Sequence, residues 1–199
     1  MANHVTSHIE IHEGNDEVRE WFSKLVDSMI IPEDERESYD MYRPLHEMFE
    51  WGDSEDDPET RSWYIDHIGA KWCHILDADD DRIQFESAWG YPDQLLLRIH
   101  QEAHAIDPEV IMTGAYDDEM PNFFGSLLYA DGDLYDEEYI GEESYEHFEL
   151  KFYWDEDEEG AEEPDDFEPD YEKMNDIQMQ DIEDMLENLR NQREEDASD

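Results

Sequence analysis

The stretch "KWCHILDADDDRIQFESAWGYPDQLLLRIHQEAHAID", residues 71–107, sets two textures side by side and decides the fold. Its first half carries β-branched and aromatic residues in two runs, about 71–77 and 82–89, joined by an Asp-rich turn, and reads as a hairpin. Pro92 and Asp93 then open a helix whose Leu95, Leu96, Ile99, Ala103 and Ile106 form one apolar face. A hairpin feeding an amphipathic helix points to an α+β domain, with helices covering one face of an antiparallel sheet.

Outward from this unit the same texture continues. Residues 4–12, "HVTSHIEIH", alternate, with Val5, Ile9 and Ile11 on one side and His4, Thr6, His8, Glu10 and His12 on a wet side. Asn15 is placed to cap a helix over about 16–30, in which Val18, Trp21, Phe22, Leu25, Val26 and Met29 share a stripe and Pro32 ends the run. Residues 33–60 are less legible, with a short packed helix expected around 44–50 and a loop at "GDSEDDPET". Beyond the second helix, 109–120 reads as a strand, 122–140 as a hairpin turning near Gly132, and 144–154 as a last strand. The order β, α, β, β, α, β followed by additional strand is that of a ferredoxin-like split βαβ sheet with two helices on one face.

Charge is the outlier. The 199 residues hold 61 Asp and Glu against 12 Lys and Arg, for a net charge of −49. Residues 1–130 carry 31 acids and 8 bases, and residues 131–199 carry 30 acids and 4 bases, so the acid is denser toward the C-terminus but not confined there. A chain with six Trp, eleven Tyr and eight Phe still has the apolar area to fold. Such a charge stores self-repulsion and disfavours membrane surfaces and polyphosphates as partners, leaving a basic protein as the expected one and direct nucleic-acid binding unexpected. Neither a signal segment nor a membrane-spanning run is evident, and the single Cys73 fits a buried thiol in a reducing cytoplasm.

The chain divides into an α+β domain at 1–154, an acidic arm at 155–170, an amphipathic helix at 171–195 and a disordered tail at 196–199. The last helix presents Tyr171, Met174, Ile177, Ile182, Met185 and Leu189, with Arg190 and Arg193 suited to its C-terminal dipole. It is expected to dock on the domain or on a partner.

"MANHVTSHIEI", "IGAKWCHILDADDDRIQFESAWGYP" and "FFGSLLYADGDL" are similar, in this order and over about residues 1–135, to segments of the YubB-type ferredoxin-like family of small phage and plasmid proteins. The resemblance implies the fold and a mobile-element origin, and no catalytic residue. The acidity, residues 33–60 and the C-terminal extension depart from the family pattern.

Sites of other kinds are weighed against simpler readings. The loop from Asp77 has Arg82 where an EF-hand needs Gly and Ala88 where it needs a bidentate Glu, and the run from Asp155 lacks flanking helices. His100 and His104 are spaced i, i+4 but lack a marked third metal ligand, and are expected as surface histidines. Lys71 beside Trp72 is the nearest approach to a nucleic-acid patch, and structural aromatics are expected there. No phosphate loop or nucleophile elbow occurs, so neither cofactor, metal nor enzymatic activity is expected. With only four Lys, salt adaptation also enters, though nine Met and eleven Tyr are unlike it.

The preferred reading is a DNA-mimicking polyanion that blocks a basic DNA- or RNA-binding host protein. Its contact residues are expected to be Asp155, Glu156, Asp157, Glu158, Glu159, Glu162, Glu163, Asp165, Asp166, Glu168 and Asp170. Secondary patches are Asp131, Asp133, Asp136, Glu137 and Glu138, and the turn residues Asp77, Asp79, Asp80 and Asp81. The rival is an adaptor whose Ile177, Ile182, Met185 and Leu189 dock in a partner groove or support self-association, with the acid serving solubility.

Overall fold

In the computed structural model, residues 3–29, 65–119, 122–141 and 170–198 are described. The sequence-based expectations for 33–60, for the strand at 144–154 and for the arm at 155–169 lie outside them.

Local sequence explains the elements. Strand β1 (His4–Glu13) buries every second residue from Val5 to Ile11. Asn15 caps α1 (Asp16–Met29), its side-chain oxygen accepting from the N–H groups of Glu17 and Val18 at 2.9 and 3.0 Å. The hairpin of β2 (Cys73–Asp79) and β3 (Arg82–Ala88) leads into α2 (Asp93–Ile106), which buries Leu95, Leu96, Ile99 and Ala103. Strand β4 (Ile111–Asp118) precedes a second hairpin, β5 (Phe123–Ala130) and β6 (Asp133–Gly141). Asp131 and Gly132 turn it with φ of 55° and 83°, the paired left-handed conformation that Asp-Gly favours in a two-residue hairpin. The last helix, α3 (Tyr171–Asp196), runs through Asp196, and Ala197 and Ser198 donate to the carbonyls of Arg193 and Glu195. The helix thus reaches Asp196, one residue beyond the expected end at 195.

The result is α+β, with a six-stranded open antiparallel sheet in the order β2-β3-β1-β4-β5-β6. The sheet is larger than a four-strand core with one addition, because β5 and β6 extend it beyond β4. One face packs on α1 and α2, joining Val5, Ile9, Ile83, Phe85, Met112 and Leu127 to Phe22, Leu95 and Ile99. α3 covers part of the opposite face, where Met185, Leu186 and Leu189 meet Ile111, Leu128 and Ala130, and Met174 meets Phe124 and Ile140. Cys73 is buried as expected, and burial pushes its thiol well above the ordinary range. Among the described residues no helix is long and apolar enough to cross a membrane.

Candidate functional site

Strand pairing places the acidic turns relative to one another. Glu10 at the finishing end of β1 pairs with Arg82, Glu13 pairs with Ile111, and Met112 pairs with Tyr129. The turn before Arg82 and the turn at Asp131–Gly132 thus share one end of the sheet, separated by four strand spacings or about 19 Å. Asp79, Asp80, Asp81 and Asp133 are exposed there, with Glu13 between them.

α3 brings cations to this end. Its sheet-facing contacts run from Phe124 and Ile140 beneath Met174 to Ile111 and Ala130 beneath Leu189, so its C-terminus arrives beside Glu13. Arg190 donates to Glu13 at 2.8 Å, and Arg193 pairs with Asp131 at 2.9 Å and Glu109 at 3.7 Å. The hydrogen bond from Arg190 holds the Glu13 carboxyl below its usual range. Arg190 and Arg193 are thereby paired within the chain, and the exposed side of α3 is strongly anionic.

Several of the expected contact residues have structural partners. Asp131 is paired with Arg193, and Asp170 is the N-cap of α3, accepting from the Lys173 N–H at 2.9 Å. Glu137 accepts a hydrogen bond from the Tyr116 hydroxyl at 2.7 Å. Asp77, Asp136 and Glu138 are exposed, Asp77 and Asp136 on opposite edge strands of the described sheet, where charge also deters edge-to-edge pairing. Asp155 through Glu168 lie outside the described residues. Of the four residues named for docking on a partner, Met185 and Leu189 are buried, Ile182 packs beside them, and Ile177 packs with Phe124, Ile140 and Met174, all on this chain's own sheet. In this structure the helix docks on its own domain.

The outer acids of α3 were not singled out in the sequence, although they fall off the apolar stripe. Glu172, Asp176, Glu183, Asp184, Glu187, Glu194, Glu195 and Asp196 are all exposed.

A second cluster joins residues from three elements and the loop before α2. Tyr91 stacks on Tyr116 with centroids 4.3 Å apart, Tyr116 meets Phe123 at 6.2 Å, and Phe123 stacks on Tyr139 at 6.1 Å. Burial and the Glu137 carboxylate push the phenols of Tyr91 and Tyr116 far above their ordinary range, so both remain protonated donors.

The histidine expectation needs correction. His100 is fully buried, because it lies on the same helical face as Leu96 and Ala103, and its Nε2 accepts from the Gly132 N–H at 3.2 Å. Burial, then the adjacent His104, push it down to about 4. It props the β5–β6 turn. Trp72 packs edge-on to His4 at 5.2 Å and beside His74 at 4.9 Å, while Lys71 sits 4.6 Å over the half-exposed Trp89 ring.

Compared with known proteins, the chain matches no protein-family model and no curated protein.

Proposed function

We propose that this protein is an acidic, DNA-mimicking ligand of a basic DNA- or RNA-binding host protein. One observation carries the reading: the eight exposed carboxylates of α3 between Glu172 and Asp196. At ~1.5 Å of rise per residue they span about 36 Å, a mean interval of about 5 Å of axis, against ~3.4 Å of rise per phosphate in one DNA strand. A folded helix docked on a sheet presents five of them, Glu172, Asp176, Glu183, Glu187 and Glu194, along one side in a fixed row. The acidic turns at one end of the sheet extend the field, and a partner's basic groove responds to that field before contact.

The strand order β2-β3-β1-β4, with α1 and α2 on one face, supports a ferredoxin-like split βαβ reading of the first four strands. It also supports the resemblance to YubB-type phage and plasmid proteins. On that reading the natural partners are host nucleases, nucleoid proteins or RNA polymerase.

The test is capture from host lysate at two ionic strengths, with duplex DNA as competitor. Neutralising Glu172, Asp176, Glu183 and Glu187 to Gln and Asn should leave the fold intact and strongly reduce capture. Capture that resists both salt and neutralisation would sink the proposal.

A further inference from the structure

The row of carboxylates explains attraction toward any polycation but selects nothing. Chemical selectivity requires a contact with shape, and β6 has one.

Tyr139 is 60% exposed, yet its ring is not loose. A Cβ added to Gly141 would lie 2.8 Å from Tyr139 Cε1 and 3.0 Å from its hydroxyl, so the ring lies across the space left by the missing side chain. Phe123, opposite Gly141 in the register, stacks against it with planes 24° apart. The phenol is thus held against the strand with much of its surface open to solvent.

Glu137 stands two residues away on the same face, about 7 Å along the strand. Its Oε1 accepts from Tyr116, whose hydroxyl also occupies the space beside Gly125, the residue paired with Tyr139. That hydrogen bond holds the carboxylate near Gly125, the cross-strand neighbour of Tyr139. A carboxylate has about four acceptor positions, so bonds from phenols leave capacity for a further donor. β6 contains four acids and no base.

We propose that Tyr139 and Glu137 form an arginine-accepting contact, in which a guanidinium from the basic partner lies on the Tyr139 ring and donates in plane to Glu137. This rests on the polyanion reading and adds selectivity to it. A planar guanidinium can stack and hydrogen-bond at once, whereas an ammonium is a compact, strongly hydrated point charge. The simpler account, in which Tyr139 covers Gly141 and Glu137 satisfies the Tyr116 hydroxyl, explains both positions and predicts no preference for arginine.

The experiment titrates the full chain by calorimetry with oligoarginine and with oligolysine of equal length. Because guanidinium pairs better with carboxylates generally, the readout is the change in the affinity ratio between variants. Tyr139→Leu, which still covers Gly141, and Glu137→Gln should each lower oligoarginine affinity about 3- to 10-fold while leaving oligolysine affinity unchanged. Tyr139→Phe, which keeps the π face, should retain the wild-type ratio. A ratio that survives both Tyr139→Leu and Glu137→Gln overturns the contact, while salt-sensitive binding of both peptides would leave the polyanion reading standing. Failure of either peptide to bind at low salt overturns both.

Discussion

The side-chain amide of Gln178 in α3 donates to the backbone oxygen of Tyr116 in β4 at 3.0 Å, and its Nε2 also lies 3.2 Å from the oxygen of Gly125 in β5. Gln178 is buried, and its own backbone oxygen accepts from the Ser126 hydroxyl at 3.2 Å. The helix is therefore pinned to the sheet by polar contacts as well as by its apolar stripe. Gln178→Leu should destabilise the protein by about 1–3 kcal/mol, because buried carbonyls lose their donor. Denaturant unfolding checks this, and hydrogen exchange should show the loss concentrated in 171–196. An unchanged midpoint would mean that the amide is dispensable.

Two glycines separate steric need from tolerance. A Cβ at Gly114 would lie 2.4 Å from the His8 backbone oxygen, whereas one at Gly90 would meet nothing within 4 Å. Gly114→Ala should cost more than about 2 kcal/mol by forcing β1 and β4 apart, and Gly90→Ala should stay within about 0.5 kcal/mol. Thermal melts of the two variants make the comparison.

Acid should weaken the fold through its histidines. His100 is held down to about 4 by burial and His104, and His8 to about 4 by burial and then Arg82. Both are neutral in the native state while the unfolded chain takes up protons near 6.5. Their contribution is complete above pH ~6.5 and is lost as pH falls toward ~4, up to about 3 kcal/mol for each group. Asp117 acts in the opposite sense: burial, then Asp118, push it up to about 6, so it favours the fold as pH falls from ~6 to ~4. His100→Gln, whose oxygen can accept from Gly132, should flatten the loss of stability below pH 6.5, and Asp117→Asn should steepen it. Denaturation at stepped pH reads both slopes.

Salt should stabilise the isolated protein. At net −49 the native state carries strong self-repulsion, whose range shrinks to about 10 Å at 0.1 M salt. The melting temperature should rise by several degrees between low and moderate salt, opposite in sign to the effect on partner capture. A flat or falling melting temperature would show that local ion pairs such as Arg193–Asp131 dominate instead.

Legibility varied with the physics involved. The elements β1, α1, α2 and the two hairpins were readable because one buried face imposes a period of 2 or 3.6 on Val5 to Ile11 and on Leu95 to Ala103. The sheet order was less legible, since nothing local tells β1 that its neighbours are β3 and β4. His100 misled because a polar residue type suggested solvent, although its spacing from Leu96 and Ala103 placed it inside. The Tyr91, Tyr116, Phe123, Tyr139 and Glu137 cluster was invisible, because it exists only through the register that sets Gly125 between Tyr116 and Tyr139. The acids of Asp77 to Asp81 and Asp131 to Asp133 were legible as patches, but their shared end of the sheet follows from pairing.

The central position of β1 has a consequence for biosynthesis. Val5 sits between Ser87 and Asp118, so β1 cannot gain its second neighbour until translation has run on through Asp118, about a hundred residues later. At synthesis rates of roughly 5–20 residues per second, that delay is on the order of ten seconds. Throughout that interval one edge of an alternating apolar strand stays open, and the like charge of nascent chains disfavours its pairing with neighbouring copies.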